Sequence, residues 1–108
     1  MKPGDVVTAD FPGATGVKRR PAVVVSTEQY HQTRPDVILG LLTSNIAGAV
    51  EPSDYVLQDW QAAGLHRPSA FRAFLFTLPA NAINSIGHLS NRDWSEVQVR
   101  MRIAVAFQ

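Results

Sequence analysis

Short apolar runs fenced by breakers fill the N-terminal two-thirds of the chain, and a helical period takes over only at its end. Asp5 to Phe11 (DVVTADF) is β-branched and apolar between Pro3-Gly4 and Pro12-Gly13, which predicts a strand held between two turns. Pro12 to Arg20 (PGATGVKRR) carries two glycines and three consecutive cations, so an exposed loop is expected there. Pro21 to Ser26 (PAVVVS) has three valines in a row, the pattern of a strand buried on both faces. Residues 28–35 are polar and end in Arg34-Pro35, which predicts a loop or a short helical turn. Asp36 to Thr43 (DVILGLLT) is another buried strand, and Gly40 inside it signals a bulge or a close backbone approach. Residues 45–53 read as loop, Tyr55 to Leu57 as a short strand, and Asp59 to Ala63 as one helical turn closed by Gly64. Pro68 to Leu78 (PSAFRAFLFTL) is aromatic-rich and partly alternating, a further strand, and Asn81 to Ile83 reads as a short turn.

The last segment differs in period. Ser90 followed by Asp93 is a capping box of the looser Ser-x-x-Asp type. Trp94, Val97, Met101, Ala104 and Val105 then fall on one helical face. Asp93 and Glu96 sit near the positive end of that helix, Arg100 and Arg102 nearer its negative end. Short strands followed by one amphipathic C-terminal helix of about four turns predict a mainly β, α+β chain: a small barrel with the helix packed on it.

Composition narrows the function classes. The 108 residues suffice for a single domain, expected to span 1–108. No cysteine is present, which excludes a disulfide scaffold, a thiol nucleophile and cysteine-ligated metal. His31, His66 and His88 show no ligand spacing, so neither metal nor cofactor is expected. No apolar run approaches the roughly 18 residues of a spanning helix, and a soluble, cytoplasmic protein is expected. A net charge of +1 gives no blanket grip on nucleic acid, so any such binding needs a local patch.

Five segments, in order, carry a resemblance. They are Gly4-Asp5-Val6-Val7; Arg19-Arg20-Pro21-Ala22-Val23-Val24-Val25-Ser26; Leu41-Leu42-Thr43-Ser44; Ala63-Gly64-Leu65 with Pro68-Ser69 soon after; and Ile86-Gly87-His88-Leu89-Ser90. Their order and gaps resemble the MazF/PemK toxins of toxin–antitoxin systems over nearly the whole chain. The resemblance implies an SH3-like barrel, a homodimer and a metal-independent endoribonuclease acting on single-stranded RNA. It also implies a cognate antitoxin whose tail covers the RNA groove. Arg20 matches the family's catalytic arginine and Thr43 its catalytic threonine. Arg72 matches an arginine that some members use on the scissile phosphate. Two positions depart: Phe74 and Thr15 stand where some members carry an acid.

The residue chemistry agrees with that reading. An arginine offers planar, bidentate phosphate recognition and a permanent charge, and Pro21 stiffens the backbone after Arg20. A threonine hydroxyl adds a neutral donor. Lys18, Arg19 and Ser44 are expected to steer RNA phosphates, with His31 in a supporting role. Without the resemblance, Lys18 to Arg20 is an ordinary solvated loop, Ser44 a turn-capping hydroxyl and Arg72 a side chain snorkelling from a strand. Trp60, Phe71, Phe74 and Phe76 have the faces to stack bases, but core or dimer interface is the expectation for most, and core for Trp94. The strand around Phe74 and Phe76 has no polar face and is expected to be covered on both sides. Two other readings stay open: a protein-binding poison like the gyrase-poisoning CcdB toxins of the same fold, and a degenerate, non-catalytic member.

Overall fold

The computed structural model describes residues 1–13 and 16–107. In chain order the elements are β1 (Asp5–Gly13), β2 (Gly16–Val24), α1 (Glu28–Thr33), β3 (Asp36–Thr43), β4 (Tyr55–Val56), β5 (Ala70–Pro79), β6 (Ile83–His88) and α2 (Asn91–Ala104). Short 3₁₀ turns cover Ile46–Gly48 and Ala80–Ala82. The strands form one antiparallel sheet in the order β4-β5-β3-β2-β1-β6. β4 touches only the first two residues of β5, so the rest of β5 is a sheet edge. The opposite edge is β6, and only the turn Ala80–Ala82 separates the two in sequence. So short a link closes only if the sheet curls until its edges approach, which makes a half-barrel.

The strand period places the core on both sides of this sheet. Val6 lies opposite Val23, and both join Leu42, Leu65, Phe71, Leu89 and Val97 under α2. Val7 lies opposite Ala22, and both join Val24, Val37, Leu39 and Ile83 on the other face. Ala22, Val23 and Val24 are fully buried, as the run of valines predicts. Gly40 meets both of its expected roles. The β3–β5 register shifts between Gly40 and Leu41, and a Cβ at Gly40 would sit 2.5 Å from the Phe71 ring. The turn after Asp59 closes in the Schellman manner: Leu65 N–H donates to the Trp60 carbonyl, Gly64 N–H to that of Gln61, and Gly64 has φ +89°.

Several expectations need correction. The segment 12–20 is not an exposed loop: β1 runs to Gly13, β2 starts at Gly16, and Lys18, Arg19 and Arg20 lie in register with Phe11, Asp10 and Ala9. A two-stranded arm is held by backbone ladder bonds and needs no apolar alternation, so its polar sequence concealed it. Thr15 lies outside the described residues. The strand β6 went unpredicted because an edge with one buried residue, Ile83, leaves no period to read. Ser90 caps α2 by accepting from Asp93 N–H at 3.3 Å, but Asp93 does not bond back to Ser90. Its carboxylate turns inward instead. On the helix face Val97 is buried, Trp94 and Met101 are half-buried against the core, and Ala104 is exposed. Phe71 is core and Trp60 half-buried, but Phe74 is 64% exposed, so one chain alone does not cover β5 on both sides.

Candidate functional site

Register builds the site floor. Thr8 of β1 lies opposite Pro21 of β2 and Asn84 of β6, so all three face the same way. Pro21 has no N–H to give a further strand, and pairing of β2 with β3 begins only at Ala22 and Leu41. Beyond that point the strands part. An open cavity of about 750 Å³ lies there, bounded by Lys18 to Pro21, by Leu42, Thr43 and Ser44 at the end of β3, and by Gly64 to Arg67 with Ser69.

Charge in this cavity has one sign. Lys18, Arg19, Arg20 and Arg67 line it, and no carboxylate among the described residues does. Arg19 is held in place: its Nε donates to Thr8 Oγ1 at 3.3 Å, and its Nη1 lies 3.9 Å from Asp10. That ion pair is solvent-exposed and contributes little energy. The side chains of Lys18, Arg20 and Arg67 have no hydrogen-bond or ion-pair partner among the described residues, so their donors are available to an anion. Thr43 Oγ1 accepts from Asn45 N–H at 3.1 Å, which leaves its own proton to donate. Such a cavity has the chemistry to hold a polyanion and to stabilise negative charge growing within it.

Of the residues proposed from sequence, Arg20, Thr43, Lys18, Arg19 and Ser44 are brought together. Two are not. Arg72 does not line the cavity; its Nε lies 3.8 Å from the buried Asp54 carboxylate. His31 is spent on structure. The Met1 carbonyl can only accept, so His31 Nδ1 donates to it at 3.0 Å, and Nε2 then accepts from Ser26 Oγ. Ser26 Oγ in turn accepts from Ile38 N–H, so this chain of bonds ties α1 and the N-terminus to β3. Sequence reasoning missed Thr8, Asn84, His66 and Arg67. One signal for Arg67 was present: it precedes Pro68 as Arg20 precedes Pro21, so two Arg-Pro steps flank one cavity. Among the described residues there is no group of three or more His, Cys, Asp or Glu side chains placed to hold a metal.

Comparison with known proteins bears on this geometry. A family model for the PemK-like, MazF-like toxin of type II toxin–antitoxin systems matches residues 2–105. No curated protein sequence matches the chain. Among solved structures, the chain is similar to an endoribonuclease in complex with its cognate antitoxin from a mycobacterial species, with TM-score 0.79, 16% identity and coverage of 100% of this chain and 97% of that one. It is also similar to MazF of Deinococcus radiodurans, with TM-score 0.76, 19% identity and coverage of 99% and 97%. A MazE–MazF structure from the same organism gives TM-score 0.79 at 17% identity, with coverage of 100% and 98%. These likenesses establish the shared fold, and the family pattern runs through the strands that build the basic cavity: the chain belongs to the PemK-like, MazF-like toxin family of type II toxin–antitoxin systems.

Proposed function

We propose that this toxin cleaves single-stranded RNA, mRNA included, in its basic cavity without a metal ion, with Arg20 and Thr43 as the catalytic pair. The observation that carries the reading is one cavity holding both of them among four cations and no carboxylate. The scissile phosphate gains charge as the 2′-oxygen attacks it. Arg20, whose donors are unengaged, stabilises that charge, and the Thr43 hydroxyl donates to a second phosphate oxygen. Lys18, Arg19, Ser44 and Arg67 hold neighbouring phosphates. Action on mRNA places the protein in the cytoplasm.

The test uses purified, antitoxin-free protein with a long unstructured RNA in excess EDTA. Discrete cuts with 2′,3′-cyclic or 3′-phosphate ends are expected. Arg20→Ala should lower the rate by about 100- to 1,000-fold while the fold survives, the usual loss for a donor aimed at developing charge. No cuts from a folded protein on several RNAs would overturn the reading in favour of a poison that binds a protein target.

Two partners belong to the same proposal. A cognate antitoxin with an acidic, apolar tail fits a cavity whose charge is all positive, and competes there with RNA. A second copy of the chain covers the exposed edge of β5, where Phe74 and Leu75 stand open and Phe76 packs 6.3 Å from Phe74 between ring centroids. Light scattering at micromolar concentration should give about twice the 11.8 kDa chain mass, and Phe74→Asp should shift it toward one chain. A single-chain mass for the wild type would refute the dimer.

A further inference from the structure

Cleavage by this route needs a proton acceptor as well as charge stabilisation, and the cavity is nearly all donors. Lys18, Arg19, Arg20 and Arg67 bring N–H donors to it, and Thr43 is a weak base. Among the described residues, no Asp or Glu lines it. Among the described residues that line it, His66 is the one imidazole, and its ring has a nitrogen that can accept a proton.

The three histidines differ in what their rings already do. Both ring nitrogens of His31 are bonded, to Met1 and Ser26, and it lies off the cavity. His88 Nδ1 is bound to the Asp5 carboxylate at 2.8 Å, also off the cavity. His66 is exposed and makes no hydrogen bond with the described residues. Its backbone is nevertheless fixed, because the Schellman closure at Gly64 precedes it and Pro68 follows two residues later.

We infer that His66 is the base that takes the 2′-hydroxyl proton. This rests on the ribonuclease reading above. The neutral ring accepts that proton as the 2′-oxygen forms its bond to phosphorus, and the P–O5′ bond breaks. The 5′-oxygen is protonated by solvent water, and the imidazolium returns its proton to the hydroxide so formed. The net change is one phosphodiester converted to a 2′,3′-cyclic phosphate and a 5′-hydroxyl, with no proton gained or lost. The charged groups that share the cavity with His66 are Lys18, Arg19 and Arg20 on β2 and Arg67 beside it on its own loop; they hold the phosphate and leave proton acceptance to the ring.

The experiment uses the antitoxin-free toxin in EDTA, with an RNA carrying one mapped cut and the same RNA 2′-O-methylated at the cut so that it binds without reacting. His66→Gln should lower cleavage by about 100-fold or more, within the range for a positioned base. Binding of the methylated RNA should change less than twofold. The wild-type rate should rise with pH to a plateau, and that rising limb should vanish in the variant. Added imidazole should restore part of the rate to His66→Ala and none to Arg20→Ala. Unchanged cleavage and pH profile in His66→Gln would overturn the inference and leave the ribonuclease reading standing. Equal loss of binding and cleavage would overturn it too, making His66 an RNA contact. A wild type that cuts no RNA would fail the parent reading instead.

Discussion

Asp93→Ala is expected to destabilise the protein by about 4 kcal/mol, although Asp93 lies outside the cavity. The residue is fully buried at the start of α2, although its side chain is polar. One carboxylate oxygen accepts from the Tyr55 hydroxyl at 2.7 Å and from Gln58 N–H at 3.1 Å, and the other accepts from Asp59 N–H at 2.8 Å. Burial, and the bond it gives to Asp93, push the Tyr55 hydroxyl up to about 12, so it stays a donor throughout the working pH range. Removing the carboxylate leaves the buried Tyr55 hydroxyl and the two part-buried N–H groups of Gln58 and Asp59 without this acceptor, each at a cost of up to about 1–3 kcal/mol. Asp59 adds a second tie: Arg92 and then Ser90 bond its carboxyl and hold it at about 2, which fixes the 57–60 segment to the helix start. That tie survives the substitution, so the total falls below a simple sum over three donors. Urea unfolding followed by circular dichroism reads the effect directly, and a drop in melting temperature of about 20 °C is expected for a domain this size. Asp93→Asn keeps one oxygen acceptor and should lose about half as much. A loss under about 1 kcal/mol for the alanine variant would show that the carboxylate is not what joins helix to sheet.

How much of this was legible beforehand follows from the range of each interaction. Gly40, Ser90 and the valine run 23–25 were readable because a breaker, a cap and an apolar run act within a few residues. Only the family pattern singles out Arg20 and Thr43; their meeting in one cavity depends on where β2 and β3 part company beyond Ala22 and Leu41, and no local rule encodes that. The sequence marks Asp93 as half of a local cap, whereas its carboxylate's partners lie more than thirty residues away. His66 and Arg67 look like any polar loop until the curl of the sheet brings that loop beside β6. His31 misled for the same reason in reverse. Its place after the second strand suggested RNA, while the groups that occupy it are Met1 and Ser26. Local signals thus recovered most strands and the helix, and the long-range contacts decided which polar residues face one another.

Gly64→Ala tests whether the loop carrying His66 and Arg67 is positioned from a distance. Gly64 has φ +89°, a conformation an L side chain rarely adopts, and a Cβ there would overlap the carbonyl oxygen of Ile86 in β6. The same approach is seen from the other side, since a Cβ at Gly87 would overlap the Ala63 carbonyl. Backbone meets backbone at both points, so no side chain can swing away to relieve the contact. Strain at the positive φ costs about 1–2 kcal/mol and overpacking about 1–3 kcal/mol more, for a destabilisation of about 4 kcal/mol. Gly16→Ala is the internal control: φ is +121° there, but among the described residues no atom beyond its chain neighbours lies within 4 Å of the added Cβ, so the strain contribution applies without the overlap. The two variants therefore separate conformation from contact. In Gly64→Ala the loop must withdraw from β6, carrying Leu65, His66 and Arg67 out of the cavity wall. At a temperature where the variant remains folded, its cleavage rate should fall by about 100-fold or more, as expected when the proton acceptor is displaced. Added imidazole should then recover part of that rate, because Arg20 and Thr43 stand on strands that the substitution does not touch. Full activity in a folded Gly64→Ala protein would mean that the approach of Gly64 to Gly87 serves the barrel alone.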